Sequence, residues 1–335
     1  MSTVLTSEAV PLKAAPARRR LSPSSVFALA LIVAGVALAF IAQGYQLFQA
    51  TMVLAYAVAL VGLNILTGYN GQISLGHGAF FAIGAYAAGI LMDRAGVPYW
   101  LAVPAAGVVS LGVGYLFGRP ALKLEGLYLA LATFALGVAM PQLLKYKHLE
   151  AWTGGVGGIV LTKPEAPWGL PLDADQWFYL YALAVAVLLF WGARNLIDSG
   201  SGLALRAIRD HGMAAEAMGV NNAHAKSMAF AVSAGYTGVG GALAAIAVQF
   251  VAPDSFTFFL SISLLVGIVV GGVGTLWGAL FGALFILFVP GLAEQVSKSA
   301  PWAVYGVVLI LCMFVMPGGV MGLLHRLRAR LARGG

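Results

Sequence analysis

Residues able to do chemistry are scarce in this chain and concentrate in two stretches. The first, GYNGQISLGHGAFFAIG over residues 68–84, sets Asn70, Gln72, Ser74 and His77 among five glycines at the mouth of an apolar run. Glycine permits tight or broken backbone, and non-helical backbone at membrane depth is tolerated only where it faces protein or water. Intramembrane polar groups are costly and usually face a cavity or a neighbouring helix. Asn70, Gly71, Gln72, Ser74, Gly76 and His77 are therefore candidates for lining a translocation path or its gate. The competing reading is a helix N-terminus whose glycines pack on a neighbour, with His77 bonding a backbone carbonyl. A lone histidine without a second ligand makes no metal site.

The second stretch is GLALRAIRDHGMAAEAMG, Gly202–Gly219. At helical spacing Leu205, Ile208 and Ala215 share one face, with Arg206, Arg209, Asp210 and Glu216 distributed around it. Gly212 is the weak point of that helix. The stretch reads either as a docking element that takes force from a partner or as a solvated helix with no special role. A third segment, GGVGTLWGALFG over Gly271–Gly282, spaces Gly274, Gly278 and Gly282 four apart, as close helix crossing requires. Gly68 and Gly71, like Gly271 and Gly274, stand three apart before an apolar run, which leaves room for a five-plus-five internal repeat.

Much chemistry is excluded. No G-x-x-x-x-G-K-[ST] phosphate loop is present, so the chain has no cradle of its own for ATP. Ser/His/Asp sets, HExxH and Cys/His clusters are also missing. The one cysteine, Cys312, stands inside an apolar run, which rules out an internal disulfide and a cysteine-based metal site. Glu125 and Glu294 fall near the ends of apolar runs and Asp254 in a turn, so no acid stands mid-run to act as an ion relay.

The elements that must position these residues are legible from composition. Of 335 residues, 61% are apolar and only 9% charged, against about 25% charged in soluble domains; mean hydropathy is +0.91. Ten apolar runs approach the length of a bilayer crossing: Val26–Ala42, Leu47–Thr67, Ile73–Met92, Tyr99–Gly118, Leu124–Leu144, Trp177–Ile197, Ser227–Phe250, Phe256–Gly272, Leu276–Leu292 and Trp302–Met316. The fold class is all-α, a polytopic membrane helix bundle of about ten transmembrane helices, because open sheets cannot satisfy their backbone in lipid. The first run reads as a span and not a signal peptide, since no hydrophilic domain follows it.

Ten crossings put both termini on one side. That side holds Lys13, Arg18, Arg19, Arg20, Arg119, Lys123, Arg194, Arg206, Arg209, Lys226, Arg326, Arg328, Arg330 and Arg333, fourteen of the nineteen basic residues. By the positive-inside rule both termini are cytoplasmic. The net charge of +7 is therefore spread over four segments, which argues against a nucleic-acid partner and leaves lipid as the surrounding medium. The chain divides into a cytoplasmic tail, 1–25, a transmembrane domain, 26–316, and a basic cytoplasmic tail, 317–335. Within the domain, 198–226 is a cytoplasmic loop and 145–176 an external one.

Three segments taken together resemble a known family. TGYNGQISLGHGAFFAIGAY (67–86), TGGVGGI (153–159) and RAIRDHGMAAEAMGVNNAHAK (206–226) match, in order and spacing, the permease subunits of branched-chain amino acid ABC importers, the LivM-type group. The resemblance covers nearly the whole chain. It implies that Ala214–Gly219, AAEAMG, corresponds to the EAA-x-x-x-G loop of such permeases. Arg206, Arg209, Asp210, Glu216 and Gly219 would then couple to a separate ATPase. Glu216 is followed at once by Ala217, Met218 and Gly219, a compressed form of that pattern, so contacts known from distant permeases do not carry over.

The same resemblance implies a second permease chain, LivH-like or a copy of this one, and two ATP-binding cassette subunits that bind the ATP. It also implies a periplasmic solute-binding protein docking near Thr153, Gly154, Gly155, Gly157 and Gly158. The expected setting is the bacterial inner membrane, with no cofactor and no enzyme activity in this chain, and with leucine, isoleucine or valine as cargo. Urea or short-chain amide transport stands as the alternative. An ion-driven carrier would need buried acids, and a membrane-embedded transferase an Asp-rich or His-bearing interface loop.

Overall fold

The computed structural model describes residues 23–121, 124 and 126–333; Lys13, Arg18, Arg19, Arg20, Lys123 and Glu125 lie outside them. Each of the ten apolar runs coincides with a helix: α1 (Pro23–Ile41), α2 (Gly44–Asn64), α3 (His77–Asp93), α4 (Tyr99–Ala121), α5 (Leu127–Leu144), α7 (Ala174–Asp198), α9 (Asn222–Val248), α10 (Phe258–Gly271), α11 (Gly278–Val296) and α12 (Pro301–Val315). Three more helices lie between or after them: the single turn α6 (Glu150–Thr153), α8 (Gly200–Ala217) and α13 (Gly319–Arg333). Seven helical stretches of the described chain are long and apolar enough to cross a membrane. Among the others, α3 and α10 are shorter, at 17 and 14 residues. The chain is an all-α, multi-pass membrane bundle.

Two features were not foreseen. A two-residue antiparallel ladder pairs β1 (Ile159–Val160) with β2 (Phe250–Val251), and residues 319–333 of the basic tail are helical. α9 also begins five residues before the expected run, because the Asn221 side chain accepts the His224 N–H (2.9 Å) and caps it earlier.

Helices α2 and α9 are enclosed over most of their length, whereas α12 is only half-buried along one side and exposed along the other. In lipid the drive to associate is close van der Waals packing, not the hydrophobic effect, and α9 is built for it. A methyl group at Gly241 would overlap the Phe81 carbonyl of α3, and one at Gly62 of α2 would come within 2.6 Å of the Ser233 carbonyl. Phe80, Phe117 and Phe230 then fill the space between α3, α4 and α9, Phe80 meeting the other two edge-on.

The bundle has two distinct ends. Arg209 of α8 bonds the Gly68 carbonyl just past α2, while Ile159, Leu161 and Val251 surround Gly89, near the far end of α3. Twelve residues of helix separate His77 from Gly89, about 18 Å at 1.5 Å per residue. The ladder and α8 therefore mark opposite ends, and α13 starts at the α8 end, where Gly319 packs on Gly272.

Candidate functional site

The site forms where α2 stops being an α-helix. Its last turn widens into a π turn, Ile65–Tyr69, with Asn70 N–H reaching back to the Ile65 carbonyl (3.2 Å) and Gln72 N–H to that of Leu66 (3.1 Å). The Thr67 hydroxyl donates to the Gln72 carbonyl (3.0 Å) and closes the loop. Gly71 sits at φ +76°, a conformation that costs a side-chain-bearing residue roughly 1–2 kcal/mol. π-bulges of this kind are frequent at functional sites.

Asn64, a polar residue deep in an apolar run, fastens this break to the 272–277 turn between α10 and α11. Its amide donates to the Thr275 carbonyl (2.8 Å) and accepts the Gly274 N–H (2.8 Å). Gly68 has no room for a methyl group, which would lie 2.6 Å from Gly274 N. The two glycine-bearing segments read from the sequence thus meet face to face. Sequence reading passed over Asn64, although a polar side chain within an apolar run was the signal.

His77 opens α3 and is 1% exposed. It bonds two serine hydroxyls and not the backbone carbonyl of the competing reading: Nδ1 to Ser74 (2.8 Å) and Nε2 to Ser233 (2.6 Å). The Ser233 hydroxyl donates to the Gly62 carbonyl (2.6 Å), so it accepts from His77. The proton is on Nε2, and Nδ1 accepts from Ser74. Free N–H groups at the start of α3 are met by neighbours: Gly78 N–H donates to the Ser261 hydroxyl (2.9 Å) and Leu75 N–H to that of Thr133 (3.0 Å). Four other helices or breaks thereby hold one histidine-led helix start in place.

Of the candidate gate residues, Asn70, Ser74, Gly76 and His77 are buried, Gln72 is half-buried and Gly71 is exposed. A groove of about 1010 Å³ between α1, α2, α7 and α11 touches Tyr69, Arg194 and Asp198 but none of the six from Asn70 to His77. Asn70 is 3% exposed, and both its amide atoms, with Gln72 Oε1, are buried without a hydrogen-bond partner.

α8 lies across this break. Gly202, Leu205, Ile208 and Ala215 are its buried face, which matches the face read from spacing. The helix is interrupted at His211, which is extended (φ −159°), one residue before the weak point expected at Gly212. Arg206 turns inward, its guanidinium donating to the Ile197 carbonyl at the end of α7 (3.0 Å). Arg209 donates to the Gly68 carbonyl (2.8 Å) and holds Asp210 (3.0 Å); its Cγ would touch a methyl group at Gly71 at 2.7 Å. Gly219, at φ +88°, ends the element, its N–H returning to the Glu216 carbonyl (2.9 Å). Glu216 is exposed, and beside it Met213 and Met218 are 78% and 86% exposed. The five residues read as a coupling set therefore divide into two that grip the bundle, two that face outward and one that terminates the helix.

At the opposite end Thr153 is buried, its hydroxyl donating to the Leu144 carbonyl (2.8 Å). Gly154, Gly155 and Gly158 all have positive φ, and a methyl group on Gly154 would strike the Gly158 carbonyl. The result is a tight knuckle with Val156 (71% exposed) at its tip, beside Gly157. The β1–β2 ladder, a Lys145–Asp254 ion pair and a Lys163–Asp175 ion pair tie it down. No set of three or more His, Cys, Asp or Glu able to hold a metal occurs among the described residues.

The family of permease components of branched-chain amino acid transport systems matches residues 45–316, which include the π turn, α8 and the knuckle. The chain belongs to this family. Among individual relatives, the high-affinity branched-chain amino acid transport system permease protein LivM of Salmonella typhimurium is 31% identical over 88% of this chain and 74% of its own. LivM of Escherichia coli is equally similar. The corresponding LivH protein of Escherichia coli is 24% identical over 83% of this chain and 94% of its own. No solved structure matches. As a transport permease component, this chain has relatives of two kinds within one transport system, which supports a paired permease.

Proposed function

We propose that this permease component is the membrane-spanning subunit of an ATP-driven importer of branched-chain amino acids, working by alternating access. The observation that carries the reading is the position of Arg209, whose guanidinium joins α8 to the carbonyl of the broken α2–α3 segment. On this reading the exposed side of α8, with Met213, Glu216 and Met218, enters a cleft of a separate ATPase; methionine suits such a contact because it adapts its shape. Closure of two ATPases on ATP moves α8. Arg206 transmits that motion to the end of α7, and Arg209 transmits it to Gly68. The π turn and Asn70–His77 then act as the gate, and Asn70 and Gln72 gain partners in the alternate state.

The positive-inside charge pattern supports a cytoplasmic α8, cytoplasmic tails at 1–25 and 317–335, and residence in the bacterial inner membrane. The glycine knuckle, on the far face, receives the periplasmic binding protein. A LivH-like chain or a second copy completes the path, and ATP is bound by the partners alone.

The test is uptake by proteoliposomes holding this chain, its permease partner and the ATPases, with binding protein outside. Leucine uptake is expected to need ATP, to resist competition by urea, and to fall more than tenfold in Glu216→Lys with insertion unchanged. Arg206→Glu, which also unpins α7, is expected to abolish uptake. Ion-driven uptake by this chain alone would overturn the reading, and urea outcompeting leucine would move it to the amide class.

A further inference from the structure

α13 serves no purpose in the coupling scheme, yet its placement is defined. The chain turns between α12 and α13 at Gly319 (φ +68°), where a methyl group would come within 2.6 Å of Gly272 Cα. That contact sets the start of α13 against the α10–α11 turn, at the same end as α8. Along the helix, Leu323, Leu324 and Leu327 remain 36%, 43% and 46% exposed, so the protein leaves its apolar face uncovered. Arg326 and Arg330, one helical turn apart, are exposed beside that face.

Among the described residues neither arginine has an ion-pair partner. Residues 317–335 contain no Asp or Glu, and neither do α10 or the 272–277 turn packed against α13; the one acid of α11, Glu294, stands at the far end of that helix. A short helix with exposed leucines on one side and unopposed arginines along its border matches an interface-lying helix on an anionic bilayer. There the leucines enter the acyl region while the guanidinium groups stay among the phosphates. An acidic protein surface would satisfy the arginines and leave the leucines in water. We infer that α13 lies in the membrane interface and binds the phosphate headgroups of anionic phospholipid.

The experiment uses the complete transporter in vesicles of phosphatidylcholine with or without phosphatidylglycerol. A nitroxide at Leu327→Cys, in a Cys312→Ser background, reports depth through its collision rates with oxygen and with a nickel chelate. In phosphatidylglycerol vesicles the label is expected to be oxygen-accessible and shielded from nickel. Arg326→Gln with Arg330→Gln is expected to weaken that immersion roughly thirty-fold, about fivefold per charge, and the two Lys replacements are expected to keep it. Equal depth in pure phosphatidylcholine, exposure to nickel in both vesicles, or shielding that appears only when the ATPase subunits are present would each overturn the proposal.

Discussion

Arg209 is held between two elements, its guanidinium bonded to Asp210 on its own helix and to the Gly68 carbonyl across the break. A hydrogen bond from a charged donor contributes about 1.5–3 kcal/mol, and because this side chain is 40% exposed the low end applies. Arg209→Gln is therefore expected to lower uptake about tenfold while leaving ATP hydrolysis by the complex running, which paired uptake and phosphate-release assays would read. Loss of both activities together would indicate a docking role instead. Asn64 makes a sharper case, since one amide satisfies two backbone groups of the 272–277 turn. Asn64→Ala leaves both without that partner, at about 1–3 kcal/mol each, and is expected to lower the thermal midpoint of the purified protein. Asn64→Asp keeps the acceptor for Gly274 N–H but sets a buried carboxylate oxygen against the Thr275 carbonyl, so it is expected to be at least as destabilising as Asn64→Ala.

At the scale of the element, α9 is the part least able to change. Gly240 and Gly241 are required by the carbonyls opposite them and Gly238 by the Ser110 side chain, not by turns of the chain. Gly241→Val must push α3 away from α9, an overpacking cost of about 1–3 kcal/mol, and is expected to reduce the folded yield in detergent, whereas Gly291→Val on α11, where nothing stands within 4 Å, is expected to leave it unchanged. α8 is the opposite kind of element. It is interrupted at His211, and its second half is held to α9 by the Asn222 amide donating to the Gly212 carbonyl (2.8 Å). On the proposed coupling, the outer half follows a partner about this interruption while Arg209 keeps the inner half on the π turn.

At the scale of the whole molecule, the ladder end and the α8 end are expected to face opposite sides of the membrane. In a Cys312→Ser background, Met213→Cys should react with an impermeant maleimide only in inside-out vesicles, and Val156→Cys only in right-side-out ones. Reaction from the same side would contradict the bundle described here. The all-α class, the ten helical runs and the apolar face of α8 were readable from residue order, because bilayer thickness and helical period act on consecutive residues. The knuckle at Thr153–Gly158 and the break after Thr67 were marked by glycine for the same local reason. What order could not yield was which distant groups meet. Asn64 with Thr275, His77 with Ser233 and Arg209 with Gly68 are each more than 140 residues apart. Those pairings depend on how closely α9 lets its neighbours approach, so packing in three dimensions decided them.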